Sequence, residues 1–114
     1  MHEYSLVEAL VRRVEEEARR RNALAVHRLR VRVGELAGVE PELFRTAYET
    51  FRAGTLCADA TLELVTHPAR WTCPSCGKPF ERGAVLRCVA CRQPARLDPD
   101  GDALLLDAIE MEVP

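Results

Sequence analysis

The chain has 114 residues, of which 47% are hydrophobic and 30% charged. That balance describes one folded domain, or one domain with a small appended module, and excludes both wholesale disorder and a large cofactor-binding catalytic fold. Sixteen Lys and Arg against eighteen Asp and Glu leave a net charge of -2, which excludes a protein built mainly to grip phosphate backbones.

The first predicted element is a helix from Tyr4 to about Arg21. Val7, Leu10, Val11, Val14 and Ala18 recur at helical spacing, while Arg12, Arg13, Glu15, Glu16 and Arg19 fall largely elsewhere. Ser5-x-x-Glu8 matches a capping box and would fix the helix start close to the first residues. Asn22 is the expected stop. From Val26 to Val33 the period changes to two. Leu29, Val31 and Val33 alternate with Arg28, Arg30 and Arg32, so the segment predicts a strand with one buried and one wet face. Gly34-Glu-Leu-Ala-Gly38 is a loop.

Pro41 suits the first turn of a second helix. Leu43, Phe44, Ala47, Tyr48 and Phe51 form its apolar stripe, read as core, and Gly54 is the expected end. A second strand is predicted from about Ala60 to Thr66, ending before His67-Pro68. The last predicted strand runs from Ala103 to Val113. Leu105, Ile109 and Met111 lie on one face, interrupted by Asp107. Leu104, Leu106 and Ala108 lie on the other, so coverage of both sides is expected. The fold class expected is α+β: two helices packed on a three-stranded sheet, with an inserted zinc-ribbon module. The expected units are 1–68 plus 100–114, an α/β domain, and 69–99, a four-cysteine module.

The module is read from its cysteines. Four of the five in the chain form Cys73-Pro-Ser-Cys76 and Cys88-Val-Ala-Cys91. Each CxxC turn presents two thiolates to one point, and two such turns complete a closed tetrahedral shell suited to structural Zn2+. Gly77 follows the first pair where the turn favours positive φ; Arg92 stands there in the second, slightly off pattern. Few large apolar groups occur here (Trp71, Phe80, Val85, Leu86, Val89, Leu97), too few to offset the entropy of ordering without metal. The fifth cysteine, Cys57, is expected as a small buried apolar residue.

His27 and His67 stand at strand ends and are assigned no role. His2 differs because of its place. Initiator Met removal generally requires a small second residue, so Met1 is expected to remain with a free amine. That amine, the His2 amide nitrogen and the His2 imidazole form fused chelate rings around one cation, with the Glu3 amide or a carboxylate as a fourth donor. A deprotonated amide favours planar coordination, which suits Ni(II) or Cu(II). No signal peptide or membrane-spanning run is visible, so a cytoplasmic chain without a membrane partner is expected.

These residues resemble the HypA/HybF family. The resemblance is carried by Met1-His2-Glu3-Tyr4-Ser5-Leu6, Val33-Gly34-Glu35-Leu36-Ala37-Gly38-Val39-Glu40-Pro41, the two CxxC pairs and the Ile-Glu-Met-Glu tail. The family are nickel metallochaperones of [NiFe]-hydrogenase maturation, not enzymes. The resemblance implies nickel bound by His2 with Met1 and Glu3, and a further carboxylate at Glu40. It implies zinc on Cys73, Cys76, Cys88 and Cys91. The implied partners are the GTPase HypB and the hydrogenase large-subunit precursor, with urease maturation served in some organisms. The rival reading is a zinc-ribbon adaptor for nucleic acid or protein. It draws on the basic residues Arg70, Lys78, Arg82, Arg87, Arg92 and Arg96, and the acidic total argues against a nucleic acid.

Overall fold

A computed structural model describes residues 2–77, 79–80, 92–98 and 101–114. Met1, Lys78, Arg82, Val85, Leu86, Arg87, Cys88, Val89 and Cys91, and the side chain of Phe80, lie outside the described residues.

Helix α1 spans His2–Arg20 and buries Val7, Val11, Val14 and Ala18. It begins ahead of the expected cap, so Ser5 lies inside the helix rather than capping it. Its first turn makes a tertiary contact: the Tyr4 ring packs on Phe51 with centroids 5.7 Å apart. Asn22 takes φ 53°, the left-handed turn that ends helices.

Strand β1 (Ala25–Gly34), helix α2 (Pro41–Phe51) and strand β2 (Thr61–His67) follow. The two strands pair in parallel, a pairing that demands a crossover, here α2. The last long strand, Leu104–Glu112, pairs antiparallel with β1 on its other side. Between β2 and this strand lie three two-residue strands, β3 (Trp71–Thr72), β4 (Pro79–Phe80) and β5 (Arg96–Leu97), in a second sheet ordered β4-β3-β5. The last strand is therefore β6, and the main sheet has the order β2-β1-β6.

Two register shifts organise the β1–β6 pair. Val26 opposes Met111 while Arg28 opposes Glu110, so His27 is the extra residue on β1. Arg30 opposes Ala108 while Val31 opposes Leu106, so Asp107 is the extra residue on β6. Each insertion reverses the alternation. This corrects the two-faced reading of β6: Leu104 and Leu106 before the shift, and Ile109 and Met111 after it, all pack on the same core. Leu105 is left 39% exposed.

Two of the three arginines on the wet face of β1 meet carboxylates of neighbouring strands. Arg32 forks onto Asp107 with contacts of 2.9 and 2.6 Å, which holds that carboxyl below its usual range. Arg28 lies 3.8 Å from Glu63.

The core closes around Phe44, Ala47 and Tyr48 of α2. Leu43 departs from the expected stripe and is 50% exposed. The helix ends at Phe51 with Arg52 as its C-cap, ahead of Gly54. Tyr48 Oη donates to the Ala60 carbonyl at 2.7 Å, and burial pushes its ionisation well up. Cys57 is fully buried, as expected. Burial, then the Glu15 charge, raises its thiol to about 11, so it stays protonated at neutral pH. Phe44 is also fully buried, and Phe44→Ala should cost about 3–5 kcal/mol in urea unfolding. A loss under about 1 kcal/mol would show that the helix–sheet core does not carry the fold.

Candidate metal centre

The start of α1 meets the start of α2. Pro41 occupies the first turn of α2, and Glu40 is its N-cap in extended conformation (φ -85°, ψ 112°). Opening amides of a helix lack intrahelical acceptors and attract anions. One Glu3 carboxylate oxygen takes the Glu40 amide at 3.2 Å. The same oxygen lies 3.7 Å from His2 Nδ1. The Glu40 carboxylate turns back to accept from the Glu42 amide at 3.5 Å. The Glu3 side chain is 13% exposed and the His2 side chain 58%. Of the nickel candidates read from sequence, His2, Glu3 and the Glu40 backbone therefore come together, and Met1 lies outside the described residues. Among the described residues, no group of three or more His, Cys, Asp or Glu side chains is placed to hold a metal.

The Glu3 carboxyl is held below its ordinary value of 4.5, chiefly by the Glu40 amide and then by its own amide. A carboxyl lowered on folding contributes stability above its unfolded value and loses it as pH falls through the lower folded one. The Glu40 amide resonance should therefore keep its bonded shift down to pH 4.5 and move only in more acid solution. Movement centred above pH 4.5 would contradict the contact.

At the second centre, the Gly77 amide donates to the Cys73 carbonyl at 2.8 Å, closing a tight turn. Cys73 is 2% exposed, and Gly77 has φ 74°. Arg92 follows Cys91 as Gly77 follows Cys76, and it takes φ 56°. Arg92 thus takes the left-handed backbone that Gly77 takes, although a non-glycine residue there costs about 1–2 kcal/mol. Cys88 and Cys91 lie outside the described residues.

Two contacts at these centres were not legible in the sequence. One is the Glu3 carboxylate on the Glu40 amide. The other is Glu35, whose Oε1 accepts the Ala69 amide at 2.7 Å. Pro41 was the available signal for the first, because a proline in the first turn marks the preceding residue as a cap.

Residues 1–111 match the family model described as "Hydrogenase/urease nickel incorporation, metallochaperone, hypA". The chain belongs to the HypA family. The hydrogenase maturation factor HypA of Shewanella halifaxensis is 38% identical over 113 residues, covering 98% of each chain. That of Aquifex aeolicus is 34% identical over 114 residues, covering 99% of each. Among solved structures, the nickel metallochaperone HypA from Helicobacter pylori is 31% identical with a TM-score of 0.71, covering 98% of both chains. A second HypA solution structure is 32% identical with a TM-score of 0.78, covering 97% of this chain and 96% of that one. The α+β fold is that of HypA, whose family serves metal delivery rather than catalysis. No described helix is long and apolar enough to cross a membrane.

Proposed function

We propose that this HypA protein captures Ni(II) at its N-terminus and delivers it to the [NiFe]-hydrogenase large-subunit precursor. HypB is its proposed GTPase partner, and urease maturation is a second proposed destination. The observation that carries the reading is the Glu3 carboxylate seated on the Glu40 amide at 3.2 Å and beside His2 Nδ1 at 3.7 Å. It tethers the chain start to the body of the domain.

The proposed donors are the Met1 amine, the His2 amide and Nδ1, and Glu3, with Glu40 as a further carboxylate. The first helical turn favours this set. Its amides have no helical acceptors to lose, and the positive end of the helix dipole stabilises an amide that has given up its proton. Binding sends the amine and amide protons to solvent, so affinity rises with pH. Release runs the other way. A chain-end chelate surrenders its donors one at a time to an incoming site, and each freed nitrogen regains its proton. With His2 more than half exposed, the imidazole is open to such exchange.

The module at 69–99 is proposed to hold Zn(II) on Cys73, Cys76, Cys88 and Cys91, with the unit formed by 1–68 and 100–114 handling nickel. The tight Cys73–Gly77 turn and the matched positive φ at Gly77 and Arg92 fit a four-thiolate cage. Bound zinc would cross-link the two turns and leave no open coordination position. Nickel titration of the tag-free chain, of His2→Ala and of an N-acetylated form tests the assignment. Equal binding by all three would reject it.

A further inference from the structure

Three consecutive residues hold both strands that enter and leave the cysteine module. The amide of Gly34 donates to the Ala103 carbonyl, that of Glu35 to His67 and that of Leu36 to Gly101, each at 2.8 Å. The Glu35 carboxylate adds a fourth bond, from the Ala69 amide at 2.7 Å. The outgoing chain presses on the same point. A Cβ at Gly101 would stand 2.8 Å from Leu97 Cδ1 and 3.5 Å from the Ala69 Cα. Ala69 is therefore where the incoming strand, the outgoing strand and the Glu35 carboxylate meet.

The tripeptide runs on into a short turn. The Ala37 amide donates back to the Gly34 carbonyl at 3.0 Å, and Gly38 takes φ 73°. The turn ends at Glu40, whose amide is held by Glu3. One short segment thus has the module base at its first end and the chain start at its other. Both ends rest on a carboxylate accepting a backbone amide, and Glu35 is solvent-exposed, where such a bond opens most readily.

We infer that Glu35 is a positioning residue that latches the cysteine module to the domain, and that the 35–40 turn ties this latch to the Glu3–Glu40 contact at the chain start. Drawing Glu3 off the Glu40 amide loosens one end of the turn and weakens the latch at the other. By linkage, module posture biases the Glu3 contact to the same degree. The nickel part of this inference rests on the function proposed above; the latch and its tie to Glu3 do not.

The test is the exchange rate of the Ala69 amide, read by NMR in the zinc-loaded full chain. The forms compared are the unaltered protein, Glu35→Ala, Glu35→Gln and Glu3→Ala, each with and without Ni(II). Without nickel, Glu35→Ala should raise the rate roughly threefold to tenfold, the equivalent of one modest hydrogen bond. Glu35→Gln, which keeps an accepting oxygen, should stay within about twofold. Glu3→Ala should raise the rate although it leaves Glu35 intact, a response that a merely local role for Glu35 does not predict. Nickel should raise it in the unaltered chain and not further in Glu35→Ala. An unchanged rate in Glu35→Ala overturns the latch, and an unchanged rate in Glu3→Ala overturns the coupling even if Glu35→Ala fails to fold. If nickel binds equally well to His2→Ala, the proposed nickel site fails while the nickel-free arms still decide the latch.

Discussion

Nickel affinity should fall by more than about a hundredfold at neutral pH when the Met1 amine is acetylated, and comparably in His2→Ala. Loss of an outer partner of a metal ligand already costs about 10–100-fold, and each change here removes a direct donor and a chelate ring. Acetylation turns the amine into an amide with no neighbouring amine to anchor the metal, and so removes the five-membered ring. The alanine removes the imidazole and with it the six-membered ring. Neither change touches the core, which starts on α1 at Val7, so circular dichroism and urea midpoints should be unaltered. The pH profile separates the two. The amine titrates near 7.7–8.0 when unperturbed, so binding by the unaltered chain should rise steeply across that range, while the acetylated form loses this rise. Competition against a coloured chelator measures both. Binding within about threefold of the unaltered chain in both forms would exclude a site at the chain start.

Removing zinc should release the module and spare the domain. Apparent binding free energies for structural zinc are about 10–16 kcal/mol at neutral pH, more than a short segment recovers from burial. Among the described residues, the core cluster draws on α1, β1, α2, β2, β6 and the loops between them, and on none from the module. The chain's single tryptophan makes the outcome readable. Trp71 sits on β3, opposite Phe80 of β4 and Leu97 of β5. Chelation, or Cys73→Ser, should shift its emission to the red and abolish amide protection in β3 and β5. Protection at Leu29, fully buried in β1, should persist. Trp71 emission unchanged after complete zinc removal would refute a metal-dependent module.

Local pattern carried much of the fold because helix and strand burial repeat with periods visible in a short window. Val7, Val11, Val14 and Ala18 fall on one helical face, and the Leu29, Val31 and Val33 alternation survives intact in β1. The reading failed where a neighbour across the sheet set the phase. Nothing near Asp107 in sequence shows that it is the extra residue that moves Ile109 and Met111 onto the same face as Leu104 and Leu106. Its partner is Arg32, far away in the chain. The start of α1, two residues ahead of the expected Tyr4, failed for a similar reason, since Glu3 meets the amide of Glu40, far away in the chain.

Sequence alone determined the candidate donors and the family: an imidazole in the second residue, four thiols in two CxxC pairs, and the HypA family motifs around them. Those are properties of residue type and spacing, which survive without coordinates. The tertiary structure decided the parallel pairing of β1 with β2, the central place of β1, and the meeting of Glu3 with the Glu40 amide across 37 residues. Such contacts depend on how whole elements pack, and the loop closure that brings them together leaves no periodic trace in the chain.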